Sequence, residues 1–258
     1  MLKGLYTSYT GLKNEQNRMD IMTNNLANAT TVGFKKEGST SQSFDTVLAY
    51  KLKDASVGLG RAEHIGFNTP GVKIGENYTD YTQGSFRITN NPFDLALSGD
   101  GFFAIEFTNR AGETSTKYTR AGNFTLNSEG YLVTNDGDYV LDTSNRRIKL
   151  NPLLDAKVGS DGTITQNGTA IAKLQITDFE DYDYLERYGE TYFQPIEGAK
   201  NIVSAAQVNA GALEMANVQV VSEMVNMISI TRQYESNQKI MQTYDRSMEI
   251  AVNNLGKV

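Results

Sequence analysis

The chain has 258 residues, with 24 Lys and Arg against 30 Asp and Glu for a formal charge of −6. A phosphate-binding protein needs a clustered basic footprint, and pairs as short as Lys35-Lys36 and Arg146-Arg147 do not supply one, so nucleic acid is not an expected partner. No cysteine means no disulfide framework and no thiolate metal site, and a single histidine cannot form a histidine cluster.

In chain order, the first predicted element is a helix over the first thirty residues. Leu2, Leu5, Tyr9, Leu12, Gln16, Met19, Thr23 and Leu26 alternate steps of three and four, the spacing of one face of a packed helix. One column of this seam, Leu5, Leu12, Met19 and Leu26, is wholly apolar, while the other ends in Gln16 and Thr23. Lys3 is not followed by the apolar run of a secretory signal, so export, if it occurs, is expected to use another route. No stretch approaches the roughly 20 apolar residues of a membrane span.

Residues 31–80, with 191–211, read as an extended connector of mixed polarity without a sustained period. Residues 81–190 lose helical periodicity and become short β-favouring runs. The expected strands are 102–107, 117–120, 123–126, 131–133, 139–141, 148–150, 163–166 and 170–177. Gly99-Asp-Gly101, Ser128-Glu-Gly130, Asn135-Asp-Gly137, Asp161-Gly162 and Asn167-Gly168 separate them with residues that tolerate positive φ. Phe86, Leu95, Phe102, Phe103, Ile105, Phe124, Leu132 and Leu141 are the expected core of an antiparallel β domain. The acidic and tyrosine-rich stretch from Asp178 to Glu190 reads as a solvated loop covering a sheet edge.

The last predicted element is a second long helix. Val220, Met227, Tyr234, Met241, Met248 and Leu255 form an apolar column at steps of seven, beside a column carrying Thr231, Gln238 and Asp245. The fold class is therefore α+β. The two terminal helices, residues 1–30 with 212–258, form a discontinuous coiled-coil-like domain, and the β domain is inserted between them. Periodicity leaves open whether the helices pack as a hairpin within one chain or between subunits.

No catalytic constellation stands out. His64 would have to carry a triad alone, and no G-x-S-x-G, H-E-x-x-H or Walker loop is present. Asn135-Asp-Gly-Asp138 lacks the closing Glu of a calcium loop and is explained as a hairpin turn. The reading is of a protein that is not an enzyme and holds no cofactor, metal or small-molecule substrate.

Several segments resemble the flagellar rod and hook protein family. The stretch from Asn24 to Lys36, with Asn24, Asn25, Leu26, Ala27, Asn28, Gly33 and Phe34, is similar to its N-terminal signature. Gly84-Ser-Phe86, Asn91-Pro-Phe-Asp-Leu-Ala-Leu97 and Ser98-Gly-Asp-Gly-Phe-Phe103 resemble the start of its β domain. Tyr118 to Val133 resembles its central hairpin, and Leu213 to Ile228 with Arg232-Gln-Tyr-Glu235 its C-terminal helix. These matches run in order over nearly the whole chain, and its length resembles the FlgF and FlgG branch. Its opening and ending depart from the commonest distal-rod pattern, which favours the FlgF-like form.

The resemblance implies a structural subunit of the flagellar basal body in the cell envelope. It implies export without cleavage through the flagellar type III apparatus, and helical assembly with copies of itself and other rod or hook proteins to transmit torque. The apolar columns would then be the subunit-packing seam, and Gln16, Thr23, Thr231, Gln238 and Asp245 would set register. Gly33 would serve a backbone turn. The alternative from the residues is a surface adhesin or tail-fibre-like protein that trimerises through its terminal helices.

Overall fold

The computed structural model describes residues 2–45, 47–51, 63–69, 71–109 and 112–255. Helix α1 spans Leu2–Ala27 and helix α2 spans Val220–Leu255. Twenty antiparallel strands lie between them among the described residues. The α+β class is as expected. The chain divides into two compact units.

The first unit holds α1, residues 37–80 and α2. Strand β1 (Glu37–Ser43) pairs with β4 (Val72–Thr79), and β2 (Val47–Lys51) pairs with β3 (Glu63–Asn68). Residues 31–80 thus contain two strand pairs where the sequence reads as an extended connector. Periodicity missed β1 because Glu37-Gly-Ser-Thr-Ser-Gln-Ser43 has no apolar alternation, so its pairing rests on backbone hydrogen bonds. Gly38 and Gly75 lie where a Cβ would meet Tyr78 and Thr40, so close cross-strand contact replaces side-chain packing here. The backbone of His64 pairs with Tyr50 on this ribbon, and its side chain lies outside the described residues.

The second unit comprises residues 27–36 and 81–219. Its strands begin with β5 (Phe86–Ile88), β6 (Leu95–Ser98), β7 (Phe102–Thr108) and β8 (Thr114–Thr119). The short strands β9 (Thr125–Leu126), β10 (Leu132–Val133) and β11 (Tyr139–Val140) follow. Next come β12 (Ala156–Val158), β13 (Thr163–Gln166), β14 (Thr169–Lys173) and β15 (Ile176–Phe179). The last five are β16 (Leu185–Tyr188), β17 (Tyr192–Pro195), β18 (Asn201–Val203), β19 (Gln207–Ala210) and β20 (Ala212–Glu214).

Nine strands form one sheet in the order β16-β17-β8-β7-β11-β10-β9, with β15 also along β7 and β18 beyond β15. Strands β12, β13 and β14 form a meander, while β19 pairs with β6 and β20 with β5. The β13–β14 hairpin turns at Asn167 and Gly168, whose φ values of 51° and 79° are the pair that a two-residue hairpin requires.

Strand β7 is buried on both faces. Phe103 points into a core with Leu95, Leu97, Phe124, Leu132 and Ile164. Phe102 and Ala104 point into a second core with Tyr118, Phe179, Leu185 and Phe193. This is the alternation of a strand between two layers.

Five expectations for this region change. Ile148–Leu150 makes a single bridge, Tyr131 to Lys149, although Ile148 and Leu150 are buried. The run 170–177 breaks at Leu174-Gln175 into β14 and β15. Phe86 is 42% exposed on the narrow β5–β20 pair, whereas the other seven expected core residues are buried. The stretch 178–190 ends β15, makes a 3₁₀ turn at Tyr182–Tyr184 and continues as β16, the terminal strand of the large sheet, so it forms the edge rather than covering one. Residues 191–211, read as connector, supply β17, β18 and β19 to this unit.

Candidate functional site

Two structures built from the sequence signatures are the candidates: the helix seam of the first unit and a polar hub in the second. On α1, Leu12 of the predicted apolar column is buried, and Leu5, Met19 and Leu26 are half-buried. On α2, Met227, Tyr234, Met241 and Met248 are half-buried and Val220 is exposed, while the Leu255 side chain lies outside the described residues. Gln16, Thr23, Gln238 and Asp245 are exposed, and Thr231 is half-buried. The hydroxyls of Thr23 and Thr231 each donate to the carbonyl four residues back, at 2.8 Å in both cases, so they satisfy themselves on their own helix.

The contacts that Gly4 and Gly11 make between the helices lie on another pair of columns beside these. Gly4 leaves the space filled by the Tyr244 ring, and Gly11 lies against the Asn237 carboxamide. These positions are seven apart on each helix and run in opposite directions, which is antiparallel heptad packing. On α2 the facing column is Glu223, Ile230, Asn237, Tyr244 and Ala251, with Glu223 and Ile230 buried and the rest half-buried. Sequence reasoning missed it because Gly4 and Gly11 on α1 and Glu223 and Asn237 on α2 interrupt any apolar run along it. The two glycines seven residues apart on α1, Gly4 and Gly11, were the available signal.

Outside this contact α2 keeps an apolar stripe open to solvent. Val221, Met224, Val225 and Ile228 are 77%, 48%, 61% and 56% exposed and sit one helical turn or less apart.

The motif 24–36 organises the chain after α1. Asn25 is fully buried, and its carboxamide accepts from the Glu37 amide at 2.9 Å and donates to the Glu37 carbonyl at 2.7 Å. Asn28 accepts from the Thr31 hydroxyl at 3.0 Å in the turn that ends the helix. Gly33 then takes φ of +70°, and its amide donates to the Glu214 carbonyl at 2.8 Å. A Cβ at Gly33 would meet the backbone of Arg120 and Ala121, so both its conformation and its closeness require glycine. Phe34 is fully buried beneath the Arg187 guanidinium, 4.3 Å from the ring centre.

Glu214 forms the hub of the second unit. Its buried carboxylate takes the Lys35 ammonium at 2.8 Å, the Arg120 guanidinium at 3.3 Å and the Gly84 amide at 3.0 Å. Lys35 also donates to the Thr82 carbonyl at 2.7 Å, and the Lys36 amide to the Asn217 carboxamide at 2.7 Å. Buried charges persist only when paired and hydrogen-bonded, and this hub supplies those partners from four separated segments. Lys35 and Glu214 are 179 residues apart in sequence, so nothing local announced the pair.

Beside the motif turn, Thr31 and Val32 join Asp136, Asp138 and Tyr192 around a cleft of about 590 Å³. The Tyr192 hydroxyl reaches Asp138 at 2.9 Å. Burial pushes the Asp138 carboxyl above its usual range against that hydrogen bond, and burial likewise raises the Tyr192 hydroxyl. The neighbouring Lys117 ammonium stacks 3.3 Å from the Tyr188 ring centre. Among the described residues no group of three or more metal-ligating side chains converges, and no helix is long and apolar enough to cross a membrane.

Three family models match in chain order. They are a flagella basal body rod protein model at residues 5–35, a flagellar hook protein FlgE/F/G D1 domain at 96–169, and a flagellar basal body rod FlgEFG protein C-terminal model at 209–255. The chain is 33% identical to the flagellar basal-body rod protein FlgG of Bacillus subtilis, covering 98% of this chain and 99% of that protein. It is 33% identical to the rod protein FlgF of Caulobacter vibrioides, covering 97% and 98%. Against the flagellar hook-basal body complex protein FlhO of B. subtilis it is 31% identical over the full length of both.

Proposed function

The chain belongs to the flagellar basal-body rod protein family and is a structural subunit of the rod; on that premise we propose that copies of it, with other rod or hook proteins, assemble through the helix faces a single chain leaves uncovered. The adhesin or tail-fibre alternative has nothing to support it and is set aside. The protein works in the flagellum and does so mechanically, as part of a shaft that carries torque, without catalysis. It reaches its place through the flagellar type III apparatus without cleavage.

The observation that carries this reading is the exposed stripe Val221, Met224, Val225 and Ile228 on a 36-residue helix already packed along another face. Such a stripe gains most when a neighbouring helix covers it, at about 25 cal/mol for each Å² of apolar surface removed from water. The exposed and half-buried members of the expected column, Leu5, Met19, Leu26, Val220, Met227, Tyr234, Met241 and Met248, are assigned to the inner layer of this assembly, whereas Leu12 is already buried within one chain. Gln16, Thr23, Thr231, Gln238 and Asp245 set its register.

Val225→Asp tests the proposal against Ser236→Asp, a charge at an exposed position off the stripe. Both variants are expected to keep the melting temperature of the isolated chain. The first is expected to be exported yet missing from basal bodies, and the second to support swimming. Normal flagella built from the Val225→Asp chain would refute assembly through this face.

A further inference from the structure

One short stretch of chain ties the second unit together. Residues 207–217 carry β19 and β20, which are the ladder partners of β6 and β5 among the described residues. Beyond the ladders, the Val208 amide donates to the Ser160 carbonyl at 2.9 Å, the Gly211 amide to the Asp94 carbonyl at 2.8 Å and the Met215 amide to the Ser85 carbonyl at 2.9 Å. Gly84 comes so close that a Cβ there would meet the Met215 carbonyl. The same stretch holds the motif turn. The Gly33 amide donates to the Glu214 carbonyl, the Lys35 ammonium to the Glu214 carboxylate and the Lys36 amide to the Asn217 side chain, which in turn donates to the Thr82 carbonyl at 3.2 Å.

Two features set these contacts apart from the rest of the unit. The first is loop length, because Glu214 lies 179 residues from Lys35, 130 from Gly84 and 94 from Arg120. Closing long loops costs the most chain entropy before any contact repays it, so such contacts form late. The core of Phe102, Tyr118, Phe179, Leu185 and Phe193 draws nothing from residues 207–217, and the β7–β8 and β16–β17 pairs that build it are local hairpins. The second feature is charge. The Lys35 and Arg120 side chains are 1% and 3% exposed around Glu214, and burying them before its carboxylate arrives carries the penalty of cations without that counter-charge.

We propose that residues 207–217 are a closing strap, which docks after the Phe102 core has formed and seats the motif turn 33–36 as it docks. The chain is made from its N-terminus, so the strap is the last part of this unit to appear. A chain cut short before Gln207 then builds the Phe102 core but leaves the motif turn, β5 and β6 unset. The N-terminal signature is in place only in a chain complete through Asn217. This device acts within one chain and does not depend on assembly through the helix faces.

Refolding of the full chain tests the strap without any substitution. The chain is diluted out of urea, labelled with short pulses of hydrogen exchange and read peptide by peptide in a mass spectrometer. Peptides covering β7, β8 and β17 are expected to gain protection first. Those covering 33–36, β5, β6 and 207–217 are expected to follow later and together. Protection of 33–36 ahead of 207–217 overturns the proposal, as does a single phase shared by all of these peptides.

Glu214→Gln in the full chain gives a second arm. Weakening a contact made after the transition state speeds unfolding and leaves folding nearly unchanged, so exchange at 33–36 is expected to show unfolding about a hundredfold faster and refolding within about twofold of the native chain. Phe193→Leu, in the core that forms first, is expected to slow refolding instead. A Glu214→Gln chain whose loss appears mainly in the refolding rate overturns the strap. Should that variant not fold at all, the pulse labelling of the native chain decides.

Discussion

The side chain of Asn25 binds both backbone groups of Glu37, accepting from its amide at 2.9 Å and donating to its carbonyl at 2.7 Å. One carboxamide thus fixes the start of β1 to the last turn of α1 in the manner of a strand partner. Asn25→Asp removes the donor and leaves a carboxylate at a fully buried position, so it is expected to destabilise the chain by about 2–4 kcal/mol. Urea denaturation followed by circular dichroism measures this. Asp20→Asn, at an exposed position on the same helix, is expected to stay within about 0.5 kcal/mol.

Gly33 and Gly137 both have positive φ, but only Gly33 is crowded. A Cβ at Gly137 meets nothing within 4 Å, whereas at Gly33 it runs into Arg120 and Ala121. Gly137→Ala is expected to destabilise by about 1 kcal/mol and Gly33→Ala by about 2–4 kcal/mol, the difference being the displaced backbone. Equal melting temperatures for the two variants would mean that the motif turn tolerates movement.

Glu214→Gln removes the carboxylate that the buried Lys35 and Arg120 cations share, and is expected to cost about 3–5 kcal/mol. The triple change Lys35→Met, Arg120→Met and Glu214→Leu removes all three charges together and is expected to be more stable than Glu214→Gln. A triple variant less stable than the single one would show that hydrogen bonds to Thr82 and Gly84, not charge pairing, dominate the hub.

The raised Asp138 carboxyl sets a pH dependence. The folded chain holds this proton to higher pH than the unfolded chain, whose reference value is 3.8, so its contribution to stability falls as pH rises through that window and stays lost above it. Asp138→Asn is expected to flatten this fall. The check is the difference in urea midpoint between the two chains from roughly pH 4 to 7, and a constant difference would exclude Asp138 as the source.

Cutting the chain separates the two possible boundaries of the β region. A fragment of residues 81–190 lacks β17 beside β8, β19 beside β6, β20 beside β5, and the Glu214 and Lys35 charges of the hub, which leaves Arg120 without that carboxylate. It is expected to melt without a cooperative transition. Residues 27–219 are expected to melt cooperatively in calorimetry.

Much of this protein was written locally. Both terminal helices follow from 4-3 apolar spacing, and the hairpins from Gly at Gly130, Gly137 and Gly162 and from Asn167-Gly168, because period and positive-φ tolerance are properties of a few neighbouring residues. The motif from Asn24 to Lys36 was legible as a pattern that carries the family. What Asn25, Gly33 and Lys35 do was not, since their partners Glu37, Ala121 and Glu214 are identified only by where the chain returns. The polar ribbon β1–β4 carried no hydrophobic signal, and a reading based on periodicity passed over it. The helix contact at Gly4 and Gly11 was hidden for the complementary reason: glycine gives a helix no apolar mark, yet its missing side chain is the space that Tyr244 and Asn237 fill. Sequence by itself determined the elements, the turns and the family. Only the tertiary structure decided which faces are covered, because burial depends on residues far apart in sequence that meet only in the folded chain.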